Sequence, residues 1–235
     1  MSALRLWDRS PLALQFAEKK AREKFPKLNL RRWTDDPAQS KLTLLLSHVL
    51  TELKPPELDL LLTLATGATA ILWVEPGTHE ASRALSSVRE RLRGNFSVVA
   101  PCTHQAACGM LAPENARHWC HHFAPSPPGI FTDGAWARFA KLAGIDLCRL
   151  PLSFLVLDKR PSRPLPPGAV RVIGLPRVHK ADALLFACDA SGVRDRRLAK
   201  RAFPDEFRRL KKGEVDPLKI WKFEGDEIVE ARPLN

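Results

Sequence analysis

The chain has 235 residues, 45% of them hydrophobic and 27% charged, which suffices to bury a sizeable core in one domain or one and a half. No apolar run reaches the ~18 residues of a membrane span; the richest, Leu58 to Val74, is broken by Asp59, Gly67 and several threonines. Lys and Arg number 37 against 26 Asp and Glu, a formal net charge of +11, and this excess favours a polyanionic partner such as RNA, although many basic proteins bind none.

In chain order, Leu4 to Trp7 reads as a short strand ending at Asp8, and Leu12 to Phe25 as a helix with Pro11 suited to its first turn. Lys41 to Leu46 is a compact apolar run expected to be a buried strand. Ser47 to Leu53 then leads to the proline pair at 55 and 56. Ala70 to Val74 is the next strand, closed by Glu75-Pro76-Gly77, and a helix from about His79 to Arg93 stops at Gly94. Phe96 to Ala100 delivers the chain to Cys102. Strands alternating with helices over residues 1–100 predict an open, largely parallel α/β sheet. Ligands in such sheets bind beyond the carboxyl ends of the strands, where Asp8, Ser47 and Glu75 fall. Polar turns are common there in any case.

Beyond residue 100 the pattern changes. Trp136 to Ala143 is a short helix, and Ser153–Asp158, Val170–Leu175 and Ala183–Ala187 are strands, with Pro161, Pro164, Pro166 and Pro167 crowding the first link. Ile220–Phe223 and Glu227–Ala231 form a last pair around Glu224-Gly225-Asp226, a turn composition. Between Arg194 and Lys222 lies a dense basic run. Lys200, Arg201, Arg208, Arg209, Lys211 and Lys212 in it are the candidate RNA-facing residues, the plainer alternative being a solvated surface.

The five cysteines are an odd number in a long chain whose start, with an early Asp8, does not read as a secretory signal, so a disulfide framework is not expected. Glu18 and Glu23 argue likewise against an acid-poor mitochondrial presequence. In a reducing compartment clustered cysteines more often ligate metal than bridge. Five residues separate Cys102 from Cys108, eleven separate Cys108 from Cys120, and 67 separate Cys120 from Cys188. This is neither zinc-ribbon nor ferredoxin spacing, so zinc and an iron–sulfur cluster both stay open. His104, His118, His121 and His122 are nearby substitutes for a thiolate, while Cys148 is left outside the site. A buried structural role is the competing reading for any single cysteine.

Four segments then carry a resemblance. They are Ser47-His48-Val49-Leu50-Thr51-Glu52-Leu53, Leu72-Trp73-Val74-Glu75-Pro76-Gly77-Thr78, Ala100-Pro101-Cys102-Thr103-His104 with Cys108, and Trp119-Cys120-His121-His122-Phe123. In this order they resemble the signatures of the methyltransferase-like proteins associated with the mitochondrial small ribosomal subunit and of their bacterial relatives. Phe154-Leu155-Val156-Leu157, Arg171-Val172, Cys188 and Lys200-Arg201 extend the match over nearly the whole chain. The resemblance implies a Rossmann-like methyltransferase fold and a [4Fe–4S] cluster held by Cys102, Cys108, Cys120 and Cys188. It also implies a role in assembling the small subunit on its ribosomal RNA. Location would be cytoplasmic in a bacterium and the mitochondrial matrix in a eukaryote.

One feature departs from that family. Asp8 resembles the acid that ends the second strand and holds the cofactor ribose, yet only seven residues precede it, and no Gly-x-Gly occurs in the chain, whose first glycine is Gly67. The expectation is therefore a sheet incomplete at its amino-terminal end, with a gap where a first strand belongs. Asp8 and Ser47 would face S-adenosylmethionine only in a full-length form. The expected organisation is a partial methyltransferase-like domain over 1–100, a cysteine-cluster region over 101–192 and a basic extension over 193–235. Three functions compete: an iron–sulfur, RNA-contacting factor acting on small-subunit assembly intermediates; an active methyltransferase for ribosomal RNA or protein; and a zinc-stabilised nucleic-acid module. Nothing in the sequence points to a membrane or to a homo-oligomer.

Overall fold

The computed structural model describes residues 3–33 and 42–234. The chain divides into two compact units between residues 39 and 40. The first is a βαβ unit: β1 (Ala3–Leu6), α1 (Pro11–Lys24) and β2 (Asn29–Arg32). β1 and β2 are parallel, in register from Ala3 opposite Asn29 to Leu6 opposite Arg32. Ser10 caps α1 by accepting from the Ala13 amide at 3.3 Å, with Pro11 in the first turn, where a missing N–H costs nothing. Glu18 on α1 receives Arg32 from β2 at 2.7 Å. Leu12 and Phe16 on α1 are exposed.

The second unit opens with β3 (Thr43–Ser47), α2 (Pro55–Thr66), β4 (Ala70–Pro76), α3 (His79–Leu92) and β5 (Ser97–Ala100). After the cysteine segment come β6 (His122–Ala124), α4 (Gly134–Ala143) and β7 (Leu150–Asp158). These strands make one sheet in the order β3-β4-β7-β5, with β6 also paired to β7. Thr78 caps α3 by accepting from Ala81 N. The helix then presents Leu85, Val88 and Leu92 to Ile71, Trp73, Val98, Leu155 and Leu157 of the sheet. Each such fully buried side chain contributes roughly 1.5–3 kcal/mol through removal of apolar surface from water.

The expected run of parallel neighbours is corrected here. Leu4 to Leu6 pairs with Asn29–Arg32, a strand not foreseen, and Lys41 of the expected third strand lies outside the described residues. β3 and β4 are parallel neighbours as expected, but β5 does not lie beside β4. β7 is inserted between them and runs antiparallel to both. The reason is in its composition: the nine residues of β7 alternate buried and partly buried and are apolar enough for a central position, whereas four-residue β5 suits an edge. β3 is paired on one side only among the described residues. At the top of this sheet Gly77 lets the chain pass β7, since a Cβ there would lie 2.6 Å from the Pro151 carbonyl carbon.

The remaining strands are β8 (Ala169–Val172), β9 (Arg177–Val178), β10 (Asp182–Asp189), β11 (Gly192–Ala199), β12 (Leu218–Glu224) and β13 (Glu227–Pro233), with α5 (Pro204–Lys211) between β11 and β12. β10 pairs antiparallel with β8 and β11, β11 parallel with β13, β13 antiparallel with β12, and β12 antiparallel with β8. Followed round, these pairings return to their start: five strands close into a barrel. Val170, Val172, Ala183, Leu185, Leu198, Trp221 and Ile228 fill it, together with Phe207 and Leu210 from α5. The expected division at residues 192 and 193 falls within this barrel, at the start of β11.

Candidate metal centre and basic surface

The cysteines arrive from three places. Cys102 follows β5, Cys108 and Cys120 lie on the loop that carries two short turns of 3-10 helix (Gly109–Leu111 and Pro113–Asn115), and Cys188 stands on the outward face of β10. That placement follows from strand alternation: Ala183, Leu185 and Ala187 point into the barrel, so Cys188 and Phe186 point out of it. The four cysteines line one apolar cavity of about 40 Å³, together with Met110, Ile173, Val193 and Arg89. Cys148 is exposed and does not line it. Among the described residues no group of three or more His, Cys, Asp or Glu is placed so that it could hold a metal ion as it stands.

Three arginines clasp the cysteine loop through its backbone. Arg89 of α3 is 2% exposed and donates from Nη2 to the carbonyls of His104 (3.2 Å) and Ala106 (2.8 Å). Its neighbour Glu90 accepts from Cys108 N at 3.1 Å and pairs with Arg89. Arg83, six residues earlier on α3, donates to the carbonyls of Met110, Asn115 and His118 at 2.9 to 3.1 Å. Arg171 of β8 donates from Nε to Pro101 O at 2.8 Å. It forms no ion pair with a carboxylate among the described residues.

Electrostatics at the cavity are dominated by dehydration. Burial pushes the thiols of Cys102, Cys120 and Cys188 up, with Arg89 pulling Cys102 back down. Burial lowers Arg171, and the nearby Cys120, Cys102 and Cys188 oppose that shift. An unpaired guanidinium in a low-dielectric site is costly unless an anion faces it. Among the described residues the groups placed to supply that anion are the thiols of Cys120, Cys102 and Cys188, as thiolates. Two imidazoles complete the shell. His104 Nε2 lies 3.5 Å from Cys188 Sγ, and His122 Nε2 lies 3.7 Å from Cys120 Sγ. Burial depresses His122 to about 3 and lowers His104, so both rings are neutral. The Nδ1 of His104 and the Oγ1 of neighbouring Thr103 are buried without a partner. Of the four histidines expected as substitute ligands, His104 and His122 reach the thiols. His118 packs on Phe186 and His121 stacks on Trp119 instead.

Arg89 was legible in principle. In α3 it falls in the stripe formed by Ser82, Leu85, Ser86, Val88 and Leu92, where a charge is unexpected and therefore informative. Arg83 and Arg171 carry no such signal. Glu75, noted at a strand end, is a structural residue: fully buried, its Oε1 accepts from Val49 N (3.0 Å), Leu50 N (3.1 Å) and Trp73 Nε1 (2.7 Å). It thereby fixes the turn after β3, where His48 takes φ 56°. The two expected cofactor-facing residues lie in different units. Asp8 accepts from Ser10 N at 2.7 Å just beyond β1, and Ser47 Oγ lies 2.9 Å from His48 Nδ1 at the end of β3.

The basic run does not form one surface. Arg196 is buried, bonded to Asp189 (3.0 Å) and Asp226 (3.3 Å) with its guanidinium 3.8 Å from the Phe223 ring centre. Lys219 is buried against Asp216 (2.7 Å) and Glu206 (3.0 Å). Arg209 is gripped by Asp216 (2.9 Å), Glu206 and Glu214 (both 3.4 Å), and Arg208 meets Asp205 at 3.1 Å. Lys200, Arg201, Lys211 and Lys212 are exposed and form no ion pair among the described residues. The expectation of a single basic face is corrected on that ground.

No described helix is long and apolar enough to cross a membrane. Comparison with curated proteins finds no match. A family model described as mitochondrial small ribosomal subunit Rsm22 matches residues 8–215, nearly nine-tenths of the chain and the whole of the cysteine site. With its cysteine loop, its mixed α/β sheet and its basic composition set inside that match, the chain belongs to the mitochondrial small ribosomal subunit Rsm22 family.

Proposed function

We propose that this protein is an assembly or translation factor of the small ribosomal subunit that contacts ribosomal RNA and holds a structural [4Fe–4S] cluster on Cys102, Cys108, Cys120 and Cys188. The observation that carries the metal reading is the pairing of four cysteines around one cavity with Arg89 and Arg171, the second lacking a carboxylate. The choice of a [4Fe–4S] cluster over zinc follows the resemblance carried by the cysteine motifs, since four thiolates can hold either. When bound, such a cluster supplies a covalent cross-link between the loop after β5 and the barrel strand β10. The chain's own residues do the rest. Arg89 and Arg171 offset thiolate charge, Met110 and Ile173 exclude water, and Arg83 holds the loop in shape. Because burial raises the thiols of Cys102, Cys120 and Cys188, loading must displace their protons.

Anaerobic purification followed by iron, sulfide and zinc analysis tests this. About four iron and four sulfide per chain are expected; zinc alone, or no metal, overturns the cluster. Binding to the small subunit is tested by co-sedimentation with its assembly intermediates. The place of action is the cytoplasm for a bacterial chain and the mitochondrial matrix for a eukaryotic one.

The parallel pairs β1–β2 and β3–β4, each joined through a helix, support a Rossmann-like reading of the α/β part. The positions of Asp8 just past β1 and Ser47 at the end of β3 favour methyl transfer as a second reading, for a chain that carries a glycine-rich turn. Calorimetric titration with S-adenosylmethionine separates the two, and no binding is expected for this chain.

A further inference from the structure

The barrel has a recognisable connectivity. In chain order its strands are β8, β10, β11, β12 and β13, with the first beside the second and fourth, the third beside the second and fifth, and a helix between the third and fourth. The third and fifth are parallel and every other pair is antiparallel. That is the Greek-key barrel of oligonucleotide- and oligosaccharide-binding folds, which take ligands on the outer face of the second and third strands. A fold does not by itself assign a ligand, so the residues on that face must decide.

On β10 and β11 the outward residues are Leu184 opposite Arg197, Phe186 opposite Asp195, and Cys188 opposite Val193. The Cys188 end is covered: Gly109 packs on Val193, with its Cβ position 3.1 Å from Val193 N. The other half is open and cationic. Arg177 and Arg197 are about half exposed, with Lys180 and Lys200 at the rim, where Lys200 N donates to Ala181 O. The acids on this face are accounted for: Asp195 pairs with Arg177, and Asp182 and Glu227 pair with Arg197. Such exposed pairs are worth about 1 kcal/mol or less, so phosphates can replace the carboxylates at little cost. Lys180, Lys200 and Arg201 have no acidic partner among the described residues. Between the cations stands a pair of rings in contact, tilted at 38° to one another. His118, delivered by the cysteine loop, covers Phe186 with ring centres 4.5 Å apart, and exposed Arg117 lies against His118 at 3.1 Å.

We propose that single-stranded RNA crosses the open half of the β10–β11 face, with a base stacking on the Phe186–His118 pair and phosphates held by Lys180, Lys200 and Arg201. Aromatic rings flanked by unpaired cations suit unpaired nucleotides. A duplex keeps its bases stacked internally and offers them no free face, and an uncharged sugar chain has no use for the cations. The inference rests on the reading that the chain contacts small-subunit RNA and names the part of that RNA it takes. It also gives the metal site a second consequence, because the loop that carries Cys120 places His118 on the barrel.

The test uses the full chain and a fluorescent oligoribonucleotide of about one barrel's footprint, ~4–16 nucleotides, single-stranded or annealed to its complement. The single strand is expected to bind at least tenfold tighter than the duplex. His118→Ala should weaken single-strand binding about tenfold with an unchanged salt slope and unchanged iron content, and His118→Trp should restore it. Lys180→Gln with Lys200→Gln should flatten the salt slope by about 2. Equal affinity for duplex, or a His118→Ala variant that binds as the parent does while keeping its iron, overturns the proposal. If the parent still co-sediments with the small subunit in that case, the broader functional reading stands. If the parent binds neither oligonucleotide nor subunit, both fall.

Discussion

The cysteine loop and the basic run behave in opposite ways. Cys102, Cys108, Cys120 and Cys188 are spaced irregularly, with a gap of 67 residues before the last, and the fold brings them to one cavity. The eleven cations from Arg194 to Lys222 are dense in sequence, and the fold disperses them: Arg196 and Lys219 go inside, Arg209 goes to three acids, and only some remain free. A thiol keeps its chemistry wherever the chain takes it, so four that converge signal a site. A cation's function depends on what lies within a few ångströms of it, and proximity in sequence does not fix that. Density of charge along a chain is therefore weaker evidence than convergence of ligands in space.

The largest effect should come from breaking the convergence. Cys120→Ser or Cys188→Ser is expected to abolish iron retention and cost several kcal/mol of stability, since binding energy at such a site is folding energy. Cys148→Ser should leave both unchanged. Metal analysis and chemical denaturation of the three variants check this, and a Cys188→Ser protein with full iron would remove the barrel from the site. Next is the clasp. Arg89→Met retains bulk but strands the carbonyls of His104 and Ala106, and should cost about 3 kcal/mol in denaturant midpoint at constant slope. Recovery of most of that loss in the iron-loaded protein would show that the loop is also held by its ligands.

The basic run can be divided by experiment. Lys200→Glu with Arg201→Glu should weaken binding to small-subunit RNA and reduce its salt dependence without changing the melting temperature. Arg209→Glu should instead lower stability by about 1 kcal/mol, because it places a fourth acid among Asp216, Glu206 and Glu214. If Arg209→Glu affected RNA binding alone, the division drawn between free and internally paired cations would be wrong.

The smallest effect is a pH dependence. Arg209 first, and then Lys219, hold the Asp216 carboxyl down to about 2, below its ordinary 3.8. A depressed carboxyl contributes stability that is complete above the ordinary value and is lost as pH falls from about 4 through about 2. With Asp216 and Arg209 both more than a third exposed, screening limits the amount to about 1 kcal/mol. Asp216→Asn should remove that part of the acid limb in a pH series of thermal melts.

What could be read from sequence was whatever depends on residue type and short-range order. The helix read from about His79 to Arg93 with a stop at Gly94 is α3 to within a residue, because helix ends are marked by local signals. The thiol inventory was legible for the same reason. Strand neighbours were not. Placing β7 between β4 and β5, pairing β1 with β2, and closing β8 and β10 to β13 into a barrel are choices among long-range partners, and strands of similar composition do not encode them singly. The outward direction of Cys188 depended on register, since a shift of one residue in β10 would have pointed it into the barrel and dissolved the site. Asp189, Glu206, Asp216 and Asp226 decided which cations stay free; Glu206 and Asp216 reach Arg209 and Lys219 respectively at i,i+3 spacing, whereas Asp226 reaches Arg196, and Glu206 reaches Lys219, only once the strands are paired. The sequence alone determined which chemistry the chain carries. Tertiary structure decided where it is assembled, because hydrogen-bond pairing and burial act between residues that the chain holds far apart.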